Sequence, residues 1–446
     1  MSEFDFQRYE GLIDAQPTGR FSGRVTRVVG LTIECRGLQV AMGELCSIKA
    51  RGRSEPLLAE AVGFQDGSTL LMPLDEATGL GPGDTVQPLG RTLSVGCSES
   101  MLGRVLDALG NPLDDGPPLT RGIEMEVFAK APAPLSRQRI SQPFATGVSA
   151  IDGLMTLGYG QRVGIFAGSG VGKSTLLGSI ARSSQGEVNV IALVGERGRE
   201  VKEFIEASLG PEGLARSVVI VATSDAPPLL RFKASFTAMA IAEYFRDHGR
   251  QVLMMMDSVT RLANAAREIG LSLGEPPTIK GYPPSFFSTM PKLVERMGIA
   301  KGGSITGLLT VLVDADDMNE PVADTMRGLL DGHFVLSRKI ASRGQYPALD
   351  VLESLSRLME VVTEPKHQMA ARQLRKHLAV YEDARDLISV GAYRRGSDPE
   401  IDAAVAIYPQ IMDLLKQEPS ECRSWEETLS RLTSLFGETP SPLRAF

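Results

Sequence analysis

An apolar run, Val163 to Ala167, ends directly in Gly168-Ser169-Gly170-Val171-Gly172-Lys173-Ser174, and a segment with helical spacing follows. No other feature restricts the fold as much as this strand, glycine loop and helix in succession. Successive glycines let backbone N–H groups turn inward around phosphates. Lys173 can reach the outer phosphates, and the Ser174 hydroxyl is placed to ligate Mg2+. The stretch from Ala167 to Thr175 therefore reads as the cradle of a nucleoside triphosphate. Its first position is Ala167 where the usual G-x-x-x-x-G-K-[ST] pattern has glycine, a small departure at the strand's end.

A loop of this kind belongs at the end of a strand in an open, mostly parallel sheet. The surrounding pattern agrees: between Gly160 and about Thr363, apolar runs alternate with helical spacing, as in a parallel sheet covered on both faces. Expected strands are 162–167, 188–194, 217–222, 252–256 and 304–313; expected helices are 173–183, 199–209, 229–248 and 259–269. Ahead of this core, short alternating runs with glycine turns predict a small β-barrel over 18–90, with Asp66-Gly67 as a hairpin turn. Residues 91–365 form the core domain, their Gly-, Pro- and Asp-rich part to 150 reading as a connection draped over it. Beyond Lys366 only helical segments remain, broken at Gly391 and Ser397-Asp398-Pro399, so 366–446 is a helical domain with Trp425 in its core.

Composition limits the partners. With 47 basic and 54 acidic residues, the net charge of −7 gives no electrostatic footprint for nucleic acid or anionic lipid. The four cysteines lie far apart with no C-x-x-C pair, which reads as reduced thiols in a cytoplasmic protein. No run approaches the ~20 apolar residues of a membrane span, so any membrane role is peripheral and comes through partners.

The remaining chemistry should lie at strand ends beside the cradle. Met254-Met255-Met256-Asp257 is an apolar run ending in a carboxylate, the pattern of an acid that holds the Mg2+ shell, with a helix N-cap as the alternative. At the end of the strand after the cradle helix, Glu196 could orient and deprotonate the attacking water, or else pair with Arg197 or Arg199. Nothing local requires a cation at Arg357, and alone it reads as a surface arginine. Supplied by a neighbouring subunit, its guanidinium would neutralise charge developing on the γ-phosphate. Tyr346 alone reads as core or interface. The four histidines fall in none of these motifs, so no metal is expected besides the Mg2+ that arrives with nucleotide.

Taken in order, the cradle, Gly195-Glu196-Arg197, Asp257, and Pro347 to Ser356 with Arg357 resemble the catalytic subunits of rotary ATP synthases. The resemblance is closer to the type III protein-export ATPases of the bacterial flagellum and the injectisome, through Gly274-Glu275-Pro276-Pro277, Gly281-Tyr282-Pro283-Pro284-Ser285, Leu330-Asp331-Gly332-His333 and Val390-Gly391-Ala392-Tyr393. It implies an α/β fold: a RecA-like P-loop NTPase core with an N-terminal small β-barrel and a C-terminal helical domain. It also implies a homohexameric ATP hydrolase with Mg2+, acting on the cytoplasmic side of an export apparatus on chaperone-bound substrates at an export gate. By the same resemblance Glu196 is the catalytic carboxylate, Arg357 an interface arginine finger and Tyr346 a ring on the adenine, with Arg197 and Arg261 near the γ-phosphate. The Gly274 to Ser285 loop would face a pore holding a stalk-like coiled coil. Residues 1–17, where Phe6, Tyr9 and Ile13 have amphipathic spacing, would dock a stator-like dimeric regulator. The cradle from Gly170 to Ser174 is similar to the flagellar version, which favours that branch over the injectisome. A rotary synthase subunit and a hexameric RNA helicase on the same core are the rivals. The acidic balance of the chain and the aromatic-poor region Gly19 to Gly90 speak against the helicase.

Overall fold

The structure is a computed structural model, and it describes residues 22–51, 53–313 and 317–436. The expected regulator-docking segment, with Phe6, Tyr9 and Ile13, lies outside these residues.

Six strands form a closed barrel: β1 (Gly23–Val29), β2 (Thr32–Arg36), β3 (Glu44–Lys49), β4 (Leu57–Gln65), β5 (Ser68–Pro73) and β6 (Thr85–Thr92), in the order β1-β2-β5-β4-β3-β6. Alternation puts Val25, Ile33, Cys35, Cys46, Ile48, Leu57, Ala61, Leu71 and Val86 inside. The β4–β5 hairpin turns at Asp66 and Gly67, both with positive φ (49° and 71°), as a two-residue turn between right-twisted strands requires. Burial pushes the Cys35 thiol up to about 11 and the Cys46 thiol to about 12, so both are inert hydrophobes rather than reactive groups.

The second body is built on a sheet whose strands are β7 (Arg104–Asp107), β8 (Arg162–Ala167), β9 (Val188–Val194), β10 (Ser217–Ala222), β11 (Gln251–Asp257), β12 (Gly303–Leu312), β13 (Gly332–Leu336) and β14 (Leu349–Ser356). Their order is β14-β13-β8-β12-β11-β9-β10-β7, parallel except for the β13–β14 pair, and a ninth short strand, Gly298–Ala300, pairs antiparallel with β12 off this path. The near-continuous apolar sequences of β8, β9 and β11 follow from burial on both faces. Two expectations need correction. The stretch read as a draped connection supplies β7, an edge strand too short to show a period. Residues 199–209 are not one α-helix: an α-turn at Gly198–Glu203 passes into a π-helical turn at Phe204–Leu209. That wider turn sets the Ser208 carbonyl against Gly178 of the cradle helix, where a Cβ would lie 2.4 Å from the carbonyl oxygen.

After the sheet come helices α4 (Pro365–Ser389), α5 (Pro399–Leu415) and α6 (Trp425–Ser434); the earlier ones used below are α1 (Lys173–Ser183), α2 (Pro228–Asp247) and α3 (Val259–Ser272). Asp398 caps α5 by accepting from the Glu400 and Ile401 N–H groups, and Ser424 caps α6. Leu374, Leu378, Ile411, Leu414 and Leu432 join Ile165 and Leu177 in one hydrophobic core, which fixes the helical part to the sheet. Trp425 is half-buried and meets His367 edge to face. No helix among the described residues is long and apolar enough to cross a membrane.

One internal charged cluster centres on Glu243 of α2, which faces both Arg296 and, at 3.9 Å, Arg246. Arg296, 1 % exposed, forks onto Glu243 of α2 at 3.1 and 2.6 Å and donates to the Val127 carbonyl. Removing Glu243 strands the Arg296 charge in the core. Glu243→Ala is expected to cost about 3–5 kcal/mol of unfolding free energy, read by denaturant titration, whereas exposed Arg372→Ala shifts it by under about 1 kcal/mol.

Candidate active site

The cradle leaves the end of β8, the strand held between β13 and β12. Gly170 and Gly172 adopt φ of 77° and 88°, which side chains rarely tolerate, and the Leu176 N–H already bonds back to the Gly172 carbonyl at 3.0 Å. The first helical residues of α1 thus point their free N–H groups into the loop, where an anion is stabilised. Val171 is buried and anchors the turn, whereas Ser169, Gly170, Ser174 and Thr175 are exposed. Arg338, just past β13, lies with its guanidinium against Gly168, so a side chain at that position would collide with it.

Lys173 reaches across the sheet end. Its ammonium donates to Asp257, the last residue of β11, and lies 3.9 Å from a Glu196 oxygen. Asp257 is buried and also accepts from the Thr310 hydroxyl of β12 at 2.9 Å, so its position is set by two neighbouring strands. Glu196 follows β9 in a turn pinned to the next strand by Gly195 N–H to the Ala222 carbonyl and Ser224 N–H to the Glu196 carbonyl. Burial pushes the Glu196 carboxyl up to about 7, the charge of Asp257 adds to the rise, and Lys173 and Arg261 oppose it. A hydrogen bond joins Glu196 to Glu200 and holds Glu200 below the usual carboxylate range.

The cations expected nearby are placed differently from one another. Arg197 and Arg199 pair with Glu200 at 3.2 and 3.7 Å, not with Glu196, and both are exposed. Arg261, in the first turn of α3, lays its stem against Gly195 and acts on Glu196 through its charge. Arg357 is exposed, and among the described residues its side chain donates only to the Arg327 carbonyl, at 3.3 Å. Leu336 is opposite both Ala167 and Leu349, while Gly332 is opposite Ser356. Arg357 therefore leaves the sheet at the edge away from the cradle, roughly 13–17 Å along the strands at ~3.3 Å per residue.

Beside α1 lies a cleft of about 260 Å³ lined by Val148, Gly172, Thr175, Tyr346, Gln417 and Pro419, among others. The half-exposed Tyr346 ring faces Gly172, in position to stack on a nucleobase whose phosphates fill the loop. The family resemblance leads to Tyr346, which alone reads as core or interface; the wall from Gln417 to Glu421, Thr310 and Arg338 carry no local motif and escape sequence reasoning.

Residues 147–356 match the nucleotide-binding domain of the ATP synthase alpha/beta family, residues 25–90 its beta-barrel domain, and residues 363–434 the C-terminal domain of the type III secretion ATPase EscN. The Flagellum-specific ATP synthase of Bacillus subtilis is 53% identical over 93% of this chain and 95% of its own length. The Type 3 secretion system ATPase of Xanthomonas euvesicatoria is 50% identical over 94% of each. Among solved structures, the assembled ATPase EscN of enteropathogenic E. coli, in complex with its central stalk EscO, superimposes with a TM-score of 0.86 at 42% identity, covering 93% of this chain and 99% of that one. The chain thus belongs to the ATP synthase alpha/beta family, within the branch of the flagellum-specific and type III secretion ATPases.

Proposed function

We propose that this ATP hydrolase energises type III protein export in the flagellar apparatus, releasing and unfolding substrates and chaperones at the cytoplasmic face of the export gate. The observation that carries the chemistry is Lys173, held by Asp257 and beside Glu196 under the phosphate loop. An entering triphosphate takes the ammonium for its own outer oxygens and leaves both carboxylates facing the nucleotide. Glu196 then accepts a proton from water as the new bond to the γ-phosphorus forms. The bond to the bridging oxygen breaks, and ADP departs with that electron pair. The Ser174 hydroxyl and the Asp257 carboxylate are hard oxygen donors suited to Mg2+, which when bound would neutralise charge on the β- and γ-phosphate oxygens. Arg197 and Arg261 add positive potential around Glu196.

Arg357 cannot serve the cradle of its own chain from the opposite sheet edge, so we assign it to the site of an adjacent copy. The assembled state and the stalk of EscN support a homohexamer around a stalk-like partner. Docking of a dimeric regulator on residues 1–17 and peripheral membrane attachment through partners complete the reading. The test is a Lys173→Ala replacement in the producing cell. Secretion of hook and filament subunits should fall together with ATP hydrolysis by the purified chain. Loss confined to needle and translocon subunits would reassign the chain to an injectisome, and unchanged secretion of both would refute an export role.

A further inference from the structure

The cleft under Tyr346 is closed by residues from the far end of the chain, and one buried side chain holds that closure. Gln417 follows α5 and is 9 % exposed. Its Oε1 accepts from the Ser149 N–H at 2.9 Å, and its Nε2 donates to the carbonyls of Gly147 at 2.7 Å and Glu421 at 2.9 Å. Its own backbone N–H donates to the Tyr346 carbonyl at 2.9 Å. Both amide hydrogens and the amide oxygen are thereby engaged, and with the backbone bond this residue ties its own turn to residues 147–149 and to Tyr346. The wall it begins is pinned at a second point. The Pro419 carbonyl accepts from the Ser179 hydroxyl at 3.0 Å and from Arg182 at 2.6 Å, both on α1.

We propose that Gln417 is a positioning residue for the nucleobase. It sets the separation between the Tyr346 ring and the wall from Gln417 to Glu421, so that adenine affinity depends on it while phosphate affinity does not. This rests on the reading of Tyr346 as the base platform. The separation into two halves follows from the contacts. Among the described residues, the hydrogen bonds of Gln417 go to the cleft walls and none to the phosphate loop. Lys173 is held instead by Asp257 and Glu196 at the strand ends. A base stacked on Tyr346 gains only if the opposite wall stands at van der Waals distance. A loosened wall forfeits those contacts without moving the loop. Glutamate at 417 keeps the shape of the side chain but loses its donors, placing a carboxylate against the Gly147 and Glu421 carbonyl oxygens.

Gln417→Glu in the full chain should raise KM for ATP about tenfold with kcat within about twofold, and leave the inhibition constant of inorganic tripolyphosphate unchanged. An unaltered KM, or a parallel loss for ATP and tripolyphosphate, would overturn the proposal. Tyr346→Ala separates the two readings. If it leaves the ATP KM unchanged, the base platform itself fails. If it raises KM while Gln417→Glu is silent, only the role of Gln417 fails. Should Gln417→Glu not fold, amide hydrogen exchange on the unsubstituted protein decides. Residues 417–421 should be slowed by a non-hydrolysable ATP analogue and not by tripolyphosphate. Equal slowing by both overturns the proposal.

Discussion

Glu196→Gln leaves ATP bound and lowers turnover by roughly 10²–10⁴-fold, the usual worth of a positioned general base. Glutamine has the shape of the native side chain and stays beside Lys173, so the phosphate contacts persist, but it cannot take the proton of the attacking water. Equilibrium binding of a fluorescent ATP analogue should be near native while phosphate release almost stops. The native carboxyl adds a pH signature. Burial and the Asp257 charge raise it to about 7, and its base form is the ionised one. In the free enzyme kcat/KM should therefore climb as pH rises through about 7, level off above, and fall at lower pH as Glu196 takes up its proton. In Glu196→Gln this limb disappears. Normal turnover in the variant, or a limb that survives it, removes Glu196 from the mechanism.

Arg357→Ala is expected to slow hydrolysis by roughly 10³–10⁵-fold, equivalent to about 4–7 kcal/mol of transition-state stabilisation. The side chain makes one weak hydrogen bond and is exposed, so its loss should leave the melting temperature within a degree or two. The informative measurement is a mixture. Lys173→Ala lacks the phosphate anchor, Arg357→Ala lacks the guanidinium, and each is inactive alone. If the arginine works across an interface, mixing them rebuilds complete sites wherever an intact cradle meets an intact arginine, about a quarter of interfaces in a random equimolar ring. Activity should reappear on mixing. A guanidinium acting within its own chain gives no recovery at any ratio.

The parts that local chemistry encodes were readable in advance. Strand 162–167 and helix 173–183 coincide with the expectation, because an apolar run, glycines that permit positive φ, and a helical stripe each leave their own mark. Asp257 was visible for a similar reason, as the polar end of an apolar strand. The edge strands were harder. β7 has four residues, and β14 interrupts its apolar positions with Asp350 and Glu353 because one side faces solvent. Arg357 could be noticed in sequence, but its separation from the cradle is a property of antiparallel register that no local pattern states. Gln417 is the extreme case. Its partners lie at 147, 149, 346 and 421, and only the folded core, where α5 meets the sheet, brings these together. The pairing of Arg197 and Arg199 with Glu200 was likewise hidden, since the charge pattern of the turn fits a pairing with Glu196 equally well.

The N-terminal barrel is circular in its hydrogen bonding: β1 meets β6 through Gly23 opposite Val86 and Arg24 opposite Thr85, so the ladder has no first or last strand. Copies of this chain crowded side by side consequently find no open strand edge among the described residues of that body to annex. Recognition there has to run through side chains, which sequence can diversify, and runaway strand-to-strand fibre growth is denied its template.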